Sequence, residues 1–133
     1  MHPLIRNILA VIAGVVVGSI INMGLVEIGH SIFPVKGVHP NNIESLAAAM
    51  PTLGPKHFLF PFLAHAMGTL TGAFVAARIA ANHKIKFALG IGVFFLVGGI
   101  MMNYLVTGPA WFTALDLLVA YIPMAWVGGK LAV

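Results

Sequence analysis

Four apolar runs, each long enough to cross a bilayer as a helix, dominate this chain and leave it few ways to fold. They lie at about 4–28, 58–81, 87–106 and 111–130. A hydrocarbon core takes ~20 residues of helix to span. Inside lipid every backbone amide must find its partner within the protein, which favours helices over open strands. Of the 133 residues, 60% are hydrophobic and 8% charged. A soluble domain of this size needs far more charge to cover its surface. The expectation is an all-α integral membrane protein, a single transmembrane domain over 1–133 with four transmembrane helices. The first run follows Met1-His2-Pro3-Leu4-Ile5-Arg6, as the core of a signal peptide does. It is too long for an h-region and no small-x-small site closes it, so it reads as a retained helix.

A connector at 33–57 separates the first two runs, punctuated by Pro34, Pro40, Pro51 and Pro55 with Gly37 and Gly54. Within it, the stretch from Asn41 to Met50 reads as a short helix. Asn is a good N-cap, Glu44 suits the positive end of the dipole, and Pro51 stops the helix. It is too short to span, so it is expected at the membrane interface or folded back as a re-entrant lid.

The seven Lys and Arg against three Asp and Glu give a formal charge of +4. In a chain this apolar the basic balance is a topology signal, and no nucleic-acid partner is expected. Arg6, Arg78, Lys84, Lys86 and Lys130 fall on one side of a four-span layout, and Lys36 and Lys56 on the other. Both termini are therefore expected in the cytoplasm of a cell with this multi-pass protein in its inner membrane. Trp111 and Trp126 stand near opposite ends of the last run, where interfacial aromatics sit.

Small residues at helical spacing mark the faces where backbones approach closely in lipid. Gly14 and Gly18 form such a face on the first helix, with Asn22 one turn on. Pro61, His65, Gly68, Gly72 and Ala76 form one on the second, and Ala88, Gly92, Gly99 and Asn103 one on the third. Asp116, Ala120, Pro123 and Val127 share a side of the fourth. On the first helix, Glu27 and His30 stack at i and i+3, nearly opposite the glycines. That helix thus carries two contact surfaces, one for the bundle and one for a neighbouring copy, and a homo-oligomer is expected.

The ionisable residues within the runs point to a site. At ~1.5 Å per residue, His65 lies ~10 Å in from its end of the second helix. By the same rise Asp116 lies ~7 Å below Trp111. Glu27, His30 and Asn103 come near the outer ends of their helices. Five polar side chains from four helices are thus expected in one layer, in the outer half of the membrane. An ionisable group in a span costs a few kcal/mol or more unless it is paired or wetted. The plainer reading is structural: Asn22 and Asn103 make interhelical hydrogen bonds, Glu27 and His30 sit in headgroup water, and His65 pairs with Asp116.

Three functional readings compete with it. The first is a transporter- or channel-like site for a small ion or solute, with His65 and Asp116 as the protonatable centre, Glu27 and His30 as an outer gate, and Asn103 as a neutral partner. Pro61 and Pro123 weaken the bundle there and free carbonyls to line a cavity. The second is a single transition metal held by Glu27, His30, His65 and Asp116. Glu27-Ile28-Gly29-His30 has the Glu-x-x-His spacing of di-iron bundles, in one copy, so a complete di-iron site is absent and no cofactor is predicted. The third is a non-catalytic scaffold subunit joined through its glycine faces. The chain has no cysteine, which excludes thiol ligands, disulfides and iron–sulfur chemistry. With no nucleophile–base arrangement or phosphate loop, an enzyme is the least favoured class.

The run Pro55-Lys56-His57-Phe58 through Phe60-Pro61-Phe62-Leu63-Ala64-His65-Ala66 to Gly68-Thr69-Leu70, with Lys86 to Phe95 and Ala120-Tyr121-Ile122-Pro123-Met124, resembles a group of small uncharacterised bacterial inner-membrane proteins. The resemblance covers most of the chain. It implies a four-helix membrane protein and attaches no activity and no functional residues.

The charge asymmetry generates a direct expectation. Cysteines placed at Lys36 and at Lys84 should react with an impermeant thiol reagent from opposite sides of the membrane. Labelling of both from one side would break the four-span layout.

Overall fold

In the computed structural model, which describes residues 1–39 and 42–133, the chain is an all-α membrane protein. Four stretches are long and apolar enough to cross a bilayer: Pro3–Ile32, Pro55–Ile79, Lys84–Leu105 and Ala110–Ala132. The helices are α1 (Pro3–Ile32), α2 (Ile43–Ala49), α3 (Leu59–Ile79), α4 (Lys84–Leu105), α5 (Ala110–Val119) and α6 (Ile122–Ala132). The short helix α2 lies between the first two spans. Asn42 caps it, its side-chain oxygen accepting from the Ser45 amide at 3.0 Å. Pro40 and Asn41, at the start of the expected short helix, lie outside the described residues. Two tight turns, Met50–Thr52 and Pro55–Phe58, lead from α2 into α3.

The two prolines inside the spans behave differently. Pro61 was expected to weaken its helix, yet α3 runs unbroken from Leu59. It falls in the first turn, where a missing N–H costs nothing because those amides lack intrahelical partners anyway. Pro123 sits mid-span and cannot donate to the Val119 carbonyl. There the last span breaks at Ala120–Tyr121 into α5 and α6.

α3 is the central helix, packed by α1, α4 and α6. Lipid tails are as apolar as leucine, so helices gain little by hiding leucines from one another and associate instead through close packing. Here the close packing is backbone on backbone. A Cβ built on Gly14 would stand 2.7 Å from the Gly72 carbonyl, and one on Gly72 would stand 2.6 Å from that of Gly14. Gly18 and Gly68 repeat the arrangement one turn along, at 2.7 and 2.8 Å. Gly92 admits Ala125, Gly99 admits the Tyr121 ring, and Gly128 lies against the Leu70 backbone. The core between these contacts is almost wholly alanine, with Ala73, Ala76, Ala77, Ala88 and Ala125 fully buried around Ile91. The Gly14/Gly18 face is therefore consumed within the chain. The rest of α1, including Leu4, Ile8, Ile12, Val16 and Ile20, is exposed apolar surface of the kind lipid covers.

One end of the bundle gathers five of the seven basic residues. Arg6 Nε donates to the Ile79 carbonyl at 2.5 Å, and Lys84 Nζ donates to the carbonyls of Ala77 and Ala80 at 3.0 and 2.7 Å. These cations satisfy the last carbonyls of α3 and complement its dipole. Asn7 bridges to the Ala81 amide at 2.8 Å and to the Asn82 side chain at 3.0 Å. Arg78 and Lys86 flank this turn, and Lys130 is in the last turn of α6, whose Gly129 meets Ala88 and Ile85. At the other end Phe33 touches Phe60 and His57, with Lys56 Nζ 5.8 Å from its ring centre. This is the connector end.

The glycine contacts set a stability test. Gly72→Ala should lower the melting temperature in mild detergent by several degrees, because the added methyl meets backbone that cannot yield. Gly98→Ala, which meets nothing within 4 Å, should leave it unchanged or raise it, alanine being the better helix former by ~1 kcal/mol. Equal effects at the two positions would mean that α1 and α3 do not meet at these glycines.

Candidate functional site

Asp116 lies in α5, 5% exposed, on the turn of helix that faces the bundle. A carboxylate at that depth needs partners. His65, in the second turn of α3, places Nδ1 2.8 Å from Asp116 Oδ1. Against an ionised carboxylate, which only accepts, Nδ1 carries the proton and donates it. The second carboxylate oxygen, Oδ2, is 3.4 Å from the Tyr121 hydroxyl, which donates. The Tyr121 ring stacks on the His65 imidazole, with centroids 5.7 Å apart and planes 24° from parallel. Three residues from α3, α5 and the break before α6 thus form one polar centre, with Asp116 and Tyr121 buried and His65 partly exposed.

The local sequence explains each placement. The break at Ala120–Tyr121 lets Tyr121 turn back toward Asp116, five residues earlier, which a continuous helix would carry to a different face. Gly99 makes room for it: a Cβ there would stand 2.5 Å from the Tyr121 oxygen. One turn above, Thr113 Oγ1 donates to Asn103 Oδ1 at 2.8 Å and joins α5 to α4.

This centre borders two cavities. The upper one, about 360 Å³, lies at the connector end between all four spans. His65, Asp116, Asn103 and Glu27 reach its wall, one from each span, and Leu46, Met50 and Leu53 of the connector line it as well. The lower cavity, about 200 Å³, shares Asn22, His65, Gly99 and Met102 with the upper one and reaches Gly18, Gly68 and Thr69. Thr69 is 1% exposed, and its hydroxyl has no hydrogen-bond partner among the described residues. His65 stands on the wall of both.

The expected polar layer is therefore only partly assembled. Glu27, His65, Asn103 and Asp116 line one cavity, and Asp116 pairs with His65. His30, one turn further along α1, is not on the wall of that cavity. Glu27 and His30 form no ion pair among the described residues. The four ligands of the metal reading do not come together either: among the described residues no three His, Asp or Glu side chains stand close enough to share an ion. Tyr121 and Thr113 were absent from the expected site. Tyr121 shares its segment with Pro123, and a proline-induced break near a buried carboxylate was the signal that could have found it. Thr69 left no such signal, since a threonine among small residues reads as packing.

Comparison with family models, with curated proteins and with solved structures returned no match for this chain.

The buried pair sets the next test. His65→Leu strands a carboxylate against one long hydrogen bond and should cost about 3–5 kcal/mol. Asp116→Asn keeps a hydrogen bond to the imidazole and should cost about 1–2 kcal/mol. The double variant should be less destabilised than the sum, because charge and partner vanish together. Thermal denaturation of the four proteins in one detergent measures this, and strict additivity would mean that the two side chains do not meet.

Proposed function

We propose that this chain is a small transporter-like membrane protein, with the His65–Asp116 pair as its protonatable centre and the upper cavity as its solute site. One observation carries the reading: a partly buried ionisable pair on the wall of a cavity lined by all four spans and by the connector. A pair that served packing alone would be expected in a filled interface, where the Ala and Gly residues of the basic end already provide the close contacts. Ionisable residues facing an intramembrane cavity mark solute and proton pathways. The lower cavity extends the space past His65 as far as Gly18, Gly68 and Thr69.

In this reading the basic end faces the cytoplasm and the connector faces outward, in keeping with the positive-inside rule. Assembly into a homo-oligomer is compatible with it. Such contacts would fall on lipid-facing surface, the Gly14/Gly18 face being already occupied.

The absence of native cysteine makes a clean test possible. Asn22 lines both cavities. A cysteine replacing it should react with a small impermeant thiol reagent from either side of a sealed vesicle, while one replacing lipid-facing Ile100 should not. Reaction of the Asn22 position from the connector side only would make the protein a receptor for its solute and not a carrier. Reaction from neither side would end the reading.

A further inference from the structure

The charge of the cavity wall is one-sided. Glu27 and Asp116, two of the chain's three acidic residues, line the upper cavity, and none of its seven lysines and arginines does. The rest of the wall is rich in polarisable groups: the rings of Phe58 and Phe112 and the thioethers of Met23, Met50 and Met102. A carboxylate or phosphate ligand would meet carboxyl groups and no fixed cation. A bare metal ion would meet too few ligands among the described residues and a wall that cannot replace its water. Aromatic faces and thioethers beside a carboxylate suit a cation that is itself apolar.

Resting on the solute-site reading above, we propose that the upper cavity takes a small hydrophobic organic cation, an aryl- or alkylammonium held from the aqueous phase, in exchange for the proton of His65. The electrostatics fix the exchange. With His65 protonated, imidazolium and carboxylate form a neutral pair. An ammonium brought to Asp116 would lie against the imidazolium already paired with that carboxylate, and the two cations would repel. Release of the imidazolium proton removes the repulsion: the ammonium becomes the counter-ion of Asp116, and His65 remains neutral. The proton leaves to water. Its way out is the lower cavity, which His65 borders and where Thr69 presents a buried hydroxyl without a partner among the described residues. His65, Asn22 and Thr69 all line that cavity, polar groups of the kind that hold a water.

The titratable groups facing this centre are few. Glu27 faces it from α1, His57 from the turn before α3, His65 from α3, Asp116 from α5 and Tyr121 from the break before α6. The parts of α2 and α4 on the wall contribute none. Of these, His65 and Tyr121 touch Asp116.

The test uses the full chain in mild detergent, with benzyltrimethylammonium as probe and phenylacetate as its anionic counterpart, followed by isothermal titration in buffers of different ionisation enthalpy. Benzyltrimethylammonium should bind and phenylacetate should not. Binding should be weaker by about tenfold or more at about pH 6 than at about pH 8, with proton release at the lower pH. Asp116→Asn should abolish binding. Glu44→Gln, which removes the one acid outside the cavity, should leave it unchanged, and His65→Asn should remove the pH dependence. Phenylacetate binding in place of the cation would overturn the inference without needing any variant to fold. So would cation binding unchanged in a folded Asp116→Asn protein. If neither probe binds while the Asn22 cysteine is labelled from both sides, the cation assignment is wrong and the solute path stands. If neither binds and that cysteine is silent, both fall.

Discussion

Hydrocarbon gives helices no solvophobic reason to associate, so this bundle depends on how closely its backbones can approach. The reciprocal contacts of Gly14 with Gly72 and Gly18 with Gly68 put carbonyl oxygens where side chains would otherwise stand. At that separation Cα–H groups lie against carbonyls and add weak, directional attraction to dispersion. Gly128 and Gly92 do the same for α6 against α3 and α4. An alanine core fills what is left. The bundle is thus tightest toward the end where Arg6 and Lys84 satisfy the last carbonyls of α3.

The other end is built from different residues, and the cavity follows from that difference. Toward the connector the facing side chains are Phe58, Phe112, Met50, Met102 and His65, which hold the spans apart. The proline-induced break in the last span adds a second departure from regular packing. It delivers Tyr121 to the His65–Asp116 pair and frees the Val119 carbonyl from its helical partner. Packing and site are therefore linked. The small residues that draw α1, α3 and α6 together leave the larger ones to surround space, and the costly ionisable pair is placed beside that space. Asp116 is both a structural tie between α3 and α5 and the charge around which a solute would be held.

Much of this was legible in the sequence because membrane folding leaves few options. Runs of apolar residues give the spans, and Asn42 with Glu44 marks the short connector helix. The pairing of His65 with Asp116 follows from depth and from the small-residue faces they share. What escaped has specific causes. A helical wheel orients Gly14 and Gly18 but cannot say whether α3 or another copy meets them. Pro61 and Pro123 were expected to act alike, and they differ because position within the helix, and not the residue, decides whether a missing N–H matters. Glu27 and His30 share a face, yet one turn of rise is enough to put one at the cavity and carry the other past it. The role of Tyr121 depends on a break whose direction no periodicity encodes. The hydroxyl of Thr69, without a partner among the described residues, is visible only once its neighbours are in place.

The central claim is that His65 is hydrogen-bonded to Asp116 inside the membrane and still in contact with water. Solid-state nuclear magnetic resonance of protein with nitrogen-15 histidine, in lipid bilayers, reads both properties from one side chain. The account predicts a protonated Nδ1 bonded to a carboxylate, a ring signal that moves with bulk pH, and loss of the carboxylate signature in Asp116→Asn. A His65 signal that is indifferent to bulk pH and unchanged in that variant would contradict it.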